Sequence, residues 1–125
     1  MNQTNYQIQL NAQLNRFSGT EQYYRHLSGY HYTDGVCFLA QEYATHWLIT
    51  EILVANHPRQ LGEFQVWKLE RVYINPQMPT DAFTLTCEVG DRNLIWQKKI
   101  PSSNFSADYV ELWFTNGILY LPSEH

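Results

Sequence analysis

The sequence predicts an α+β domain: a central helix packed on a four- to five-stranded antiparallel meander, with an additional N-terminal helix. Three observations predict it. Apolar residues recur at intervals of three and four through the first half of the chain. They alternate with polar residues through the second half, and an Asn-Gly pair there marks a tight hairpin.

The first element spans the opening seventeen residues, where Tyr6, Leu10, Leu14 and Phe17 fall at helical spacing. The same stretch alternates, with Tyr6, Ile8, Leu10, Ala12 and Leu14 on one side of a possible strand. Gln, Leu and Ala form helices well and strands of that length are uncommon, so the helix is the better reading. Ser18-Gly19-Thr20 ends it. "FSGTEQYYRHLSGYHYTDG" (17–35) follows, with five aromatics, two histidines, an arginine and a glutamate between glycines. It reads as a loop with one or two short extended pieces. Thr33 or Asp34 then fits a helix entrance, accepting from the first free amides. Val36, Leu39, Ala40, Tyr43 and Trp47 form one apolar stripe. Thr45-His46 marks a bend or the start of a second helix, and Asn56-His57-Pro58 stops the central helix of 34–56.

Strands come next. "FQVWKLERVYI" (64–74) is rich in β-branched and aromatic residues and is bounded by Pro76 and Pro79. "AFTLTCEV" (82–89) alternates, "GDRN" turns, and "LIWQKKI" (94–100) returns. Asn116-Gly117 suits a type I′ turn, which needs positive φ at both central positions. That register sets Phe114 opposite Leu119 and Leu112 opposite Leu121 on one face, with Trp113 opposite Tyr120 on the other.

Composition removes several classes of function. A chain of 125 residues is one domain with a core of its own. A formal charge of −4, with eight Lys and Arg, argues against nonspecific nucleic-acid binding, which needs a basic face. No apolar run approaches a membrane span, and the first residues lack the pattern of a signal peptide, so a cytoplasmic protein is expected. Cys37 and Cys87 are then expected as thiols. They form no CxxC pair, so a common cysteine-type zinc site is excluded. No G-x-S-x-G elbow and no phosphate-cradling glycine loop is present.

"FSGTEQYYRH", "YTDGVCFLAQEYATHWLITEI", "FQVWKL", "LTCEVG" and "NGILYLPSEH" together resemble, in order and over nearly the whole chain, a family of small bacterial, plasmid and phage proteins classed as a domain of unknown function. The resemblance implies an accessory protein carried on mobile elements. It supplies no activity.

The chemistry-bearing residues are weighed in turn. His26 and His31, with Glu21 and Asp34 near, are enough ligands on paper for a metal, but their spacing fits no usual ligand pair. Hydrogen-bonded histidines among tyrosines are the plainer reading, and no metal or cofactor is expected. Cys37 falls in a first helical turn, where aligned amides lower a thiol's pKa, and it lies off the apolar stripe. A nucleophile there needs His31 or His46 brought close as a base, and a partly buried, unreactive thiol is the plainer reading. Cys87 is a core residue by its alternation. Tyrosine, tryptophan and arginine are the types that anchor protein contacts. The binding surface is therefore placed on Glu21, Tyr23, Tyr24, Arg25, His26, Tyr30, His31, Tyr32 and Asp34, with Trp67 and Trp113 on the strands. Glu21 is the expected partner of an outward Arg25. The expected function is a protein-interaction module that self-associates as a dimer. The alternatives are a counter-defence inhibitor of a host enzyme, and a small enzyme or nucleotide-binding protein using Tyr24, Arg25, His26 and Asp34.

Overall fold

The computed structural model describes residues 3–125, and the N-terminal helix comes first: α1, Gln3–Leu14. Helical spacing wins over alternation here. Leu10 and Leu14 are buried and Ile8, which a strand would have placed beside them, is 62% exposed. The aromatic stretch supplies two short strands, β1 (Tyr23–Arg25) and β2 (His31–Thr33). Thr33 caps α2 (Asp34–Tyr43), accepting from the Val36 N–H at 3.3 Å. Ala44 then adopts a left-handed conformation, φ 53°, and α3 (His46–Ala55) begins as a second helix. The central helix is thus two helices. The buried Thr45 hydroxyl bonds to Leu39 O at 3.2 Å across the break.

Five strands follow: β3 (Phe64–Asn75), β4 (Met78–Val89), β5 (Asn93–Ile100), β6 (Tyr109–Thr115) and β7 (Ile118–Tyr120). Asn116 and Gly117 make the β6–β7 turn at φ 52° and 75°, and the pairs Phe114↔Leu119 and Trp113↔Tyr120 hold. A short 3₁₀ turn, Pro122–Glu124, comes after β7.

The sheet corrects the expected meander. It has seven strands in the order β1-β2-β7-β6-β3-β4-β5 and is mixed, because β2 pairs with β7 in parallel. Three-residue strands are too short to show a period, and a parallel seam between distant segments leaves no local signature. β6 also lies beside β3 and not β5. Residues 101–108 carry the chain back, burying Phe105 and Ala107 on the way. Pro79 lies inside β4, where β5 no longer pairs and the β3–β4 register is already irregular.

One core cluster draws on all three helices and on one face of the sheet. It includes Trp67, Leu69, Phe83, Leu85, Cys87, Leu112, Phe114 and Leu119. Arg71 ties the β3–β4 hairpin to the crossing segment. Its guanidinium donates to Asp108 Oδ1 at 2.9 Å and to the carbonyls of Thr80, Phe105 and Ala107, and it lies 4.5 Å over the Phe83 ring. Among the described residues no helix is long and apolar enough to cross a membrane.

Candidate interaction surface

Strand alternation divides the aromatic stretch between the two faces of the sheet. His31 is paired with Ile118 and Tyr32 with Leu119, so Tyr32 shares the core face of Leu119 and His31 the outer face. The antiparallel β1–β2 pairs then put Tyr24 with Tyr32, and Tyr23 and Arg25 on the other side. The side chains agree with this sorting. Tyr24 stacks on Tyr32 at 5.5 Å, and Tyr30 meets Phe114 edge-on and donates to Asn56 O at 2.7 Å. His26 reaches α3, with Nε2 3.2 Å from the Thr50 hydroxyl and Nδ1 2.9 Å from Ser28 Oγ. Burial lowers its pKa.

The candidate residues are therefore not brought together as one patch. Tyr24, His26, Tyr30 and Tyr32 look toward the helices. Tyr23, Arg25, His31 and Trp113 belong to the outer face. Trp67 is 1% exposed and lies in the core, its indole N–H donating to Gln65 Oε1 at 2.8 Å. Asp34 sits at the start of α2, where its carboxylate accepts from the N–H groups of Gly35 (3.1 Å) and Glu21 (3.4 Å). Arg25 is exposed, and it makes no ion pair with Glu21 or any other carboxylate among the described residues. No group of three or more His, Cys, Asp or Glu side chains among them is placed to hold a metal ion.

Both cysteines match the plainer expectation, Cys37 as a partly buried thiol and Cys87 as a core residue. Cys37 is half-buried, and burial together with the nearby Asp34 charge pushes its thiol up. Cys87 is fully buried and pushed up to about 12.

The outer face is half-buried along β6 and β3, and an aromatic group stands at its centre. Trp113 meets Phe64 at 5.3 Å and Tyr120 at 6.2 Å, both edge-on, and donates to Glu111 Oε2 at 2.7 Å. Next to it a cleft of about 260 Å³ is lined by Thr20, Tyr23, Thr33, Ile118, Tyr120 and Glu124, among others. The "GTEQYY", "YTDG", "NGILY" and "LPSEH" segments, far apart in the chain, all contribute to it.

Glu124 was not among the sequence candidates, yet it holds this corner together. Its Oε1 accepts from the Thr33 hydroxyl (2.7 Å) and the Leu121 N–H (2.9 Å); its Oε2 accepts from the Gly35 N–H and the Thr20 hydroxyl, each at 3.3 Å. A side chain at Gly35 would collide with this seat, its Cβ falling 2.6 Å from Leu121 Cδ1 and 2.7 Å from Glu124 Oε1. Burial and the adjacent Asp34 raise the Glu124 pKa against the lowering effect of its donors. The signal in the sequence was Pro122 with Glu124 two positions on, which is half of a capping pattern.

No curated protein and no solved structure matches the chain. Residues 8–125 match the model of a family of unknown function (DUF6876), and the chain, with its "YTDG" and "LPSE" segments folded against each other, belongs to that family.

Proposed function

We propose that the protein is an interaction module whose outer sheet face docks a protein partner. One observation carries this reading: the outer face presents Tyr23, 56% exposed, an exposed Arg25 without an ion pair among the described residues, and the half-buried Trp113 group. These are anchor residue types on an open surface. The enzyme or nucleotide-binding alternative is less well supported. Tyr24 and His26 look toward the helices while Arg25 points the opposite way, so the three cannot converge on one ligand. A cytoplasmic, mobile-element accessory role, including inhibition of a host enzyme, fits a docking face equally well. The test is affinity capture with wild type, Tyr23→Ala, Arg25→Ala and a distant control, Gln41→Ala. Proteins retained by wild type and control but lost from both face variants support the reading; equal recovery by all four overturns it.

Self-association belongs to the same reading and rests on a separate observation. Beyond Glu70 and Phe83 the β3–β4 hairpin loses both neighbouring strands, and residues 72–80 carry no charge. Ile74 is 70% exposed there, with Val72, Tyr73 and Met78 also open. An uncharged ribbon with free edges invites a second copy. Light scattering that finds only the 14.8 kDa particle at micromolar concentration removes it.

A further inference from the structure

The outer face contains a ring-shaped site that the chain fills with its own side chain. His125 lies nearly parallel to Tyr120, centroids 5.9 Å apart and planes at 12°. Trp113 meets the same ring edge-on at 5.3 Å, and Phe64 does so at 6.2 Å. The Tyr120 hydroxyl lies 3.0 Å from His125 Nδ1. A nearly parallel, offset ring, edges from two more and a hydroxyl within hydrogen-bond reach of a ring nitrogen suit a planar group that carries nitrogen. Glu111 accepts from the Trp113 indole at 2.7 Å and from the Tyr109 hydroxyl at 2.8 Å, which fixes the Trp113 ring that borders the site.

The segment that delivers His125 is anchored elsewhere. Glu124 is seated on Thr33, Gly35 and Thr20, and Ser123 Oγ donates to Leu14 O at 3.1 Å. Anchor and ring are therefore separable by substitution. Tyr120 is 8% exposed although it belongs to the outer face, and His125 is exposed.

We propose that Phe64, Trp113 and Tyr120 form a recognition socket for a planar nitrogen-bearing side chain, histidine or arginine, of a partner protein. In the free protein the His125 ring occupies this socket, and the partner displaces that ring while Leu121 stays in the core and Glu124 on its seat. The present occupant, a flat ring that carries nitrogen, argues for the chemistry of the incoming one. This proposal rests on the reading of the outer face as a docking surface.

Imidazole serves as the probe, and the indole N–H resonance of Trp113, identified by its loss in Trp113→Phe, as the readout. In His125→Ala imidazole should shift that resonance saturably, with a midpoint at least about tenfold below that of wild type, where His125 competes. Glu124→Ala, which unseats the segment that delivers His125 and keeps the ring, should fall between the two. It carries the same comparison should His125→Ala fail to fold. A resonance indifferent to imidazole in both variants, or midpoints equal to wild type, overturns the proposal. An equal response to benzyl alcohol overturns the requirement for nitrogen. Partner capture by Tyr23→Ala and Arg25→Ala reads the docking surface independently, so the socket can fail while the surface stands.

Discussion

Trp67 and Trp113 occupy neighbouring positions of adjacent strands and point in opposite directions. Each donates its indole N–H to a side chain two residues earlier on its own strand: Trp67 to Gln65 at 2.8 Å, Trp113 to Glu111 at 2.7 Å. The local device is the same, and the acceptor differs. In the core a neutral amide is used, itself satisfied by Asn56 Oδ1 and Gly62 O. On the outer face, where water still reaches, a carboxylate is tolerated. Burial selects the acceptor because an ion in the interior lacks the solvation that an amide does not need. The pairing thus carries information about sidedness: Gln before Trp turned in, Glu before Trp turned out.

Truncating the two rings should separate the faces most strongly. Trp67→Ala is expected to destabilise by about 3–5 kcal/mol, as large core truncations do, and Trp113→Ala by about 1 kcal/mol. Denaturant midpoints with equal slopes would measure the difference; similar losses would mean that the outer face is as buried as the core. Exchanging the acceptors comes next. Gln65→Glu places a carboxylate against Asn56 Oδ1 and Gly62 O and should cost about 3 kcal/mol, whereas Glu111→Gln should stay within about 1 kcal/mol.

The hairpin that joins β6 to β7 is a smaller lever on both faces at once. Gly117→Val, at φ 75°, should cost about 1–3 kcal/mol and Asn116→Ala less. An unchanged thermal midpoint for the valine variant would contradict the turn geometry. Glu124 supplies a pH effect. Its carboxyl is held above the ordinary range, so the folded state binds the proton more tightly than the unfolded chain. That contribution is fully present below the unfolded value and is lost as pH rises through the folded one. The Tm of wild type relative to Glu124→Gln should therefore fall as pH rises from below the ordinary glutamate range toward neutrality, and a flat difference would refute the assignment. Smallest is Arg25→Ala, an exposed and unpaired cation, for which a change within about 0.5 kcal/mol is expected. Unfolding by that substitution would make the arginine a structural tie.

What was legible in the sequence was local. The caps, stripes and alternation of α1, α2 and β3 to β7 are written within a few residues, and so is the Asn-Gly turn. What was not legible depends on distance along the chain. Thr33 as a cap can be read; its hydroxyl donating to Glu124 cannot, nor can the reason Gly35 has no side chain. The break at Ala44 was only partly visible, since a left-handed alanine has no signature of its own. Among the site residues, alternation would have placed Tyr23 and Arg25 opposite Tyr24 and His26, had β1 been recognised as a strand. With three residues it was too short. Trp67 lies in the core and not on the expected binding surface, because apolar neighbours on both faces of β3 give its ring no direction in the sequence.

The parallel seam between β2 and β7 has a consequence in time. His31 must wait for Ile118, and Thr33 for Glu124, so the first third of the sheet cannot close until the second half of the chain is available. Contacts of that separation are entropically late. During synthesis α1, β1 and β2 would leave the ribosome as an aromatic-rich segment without its partner strand, exposed to chaperones or to other chains. A ribosome-stalled fragment ending near β5 should therefore be sensitive to protease throughout residues 17–35, and the same bonds should become protected as soon as β7 emerges.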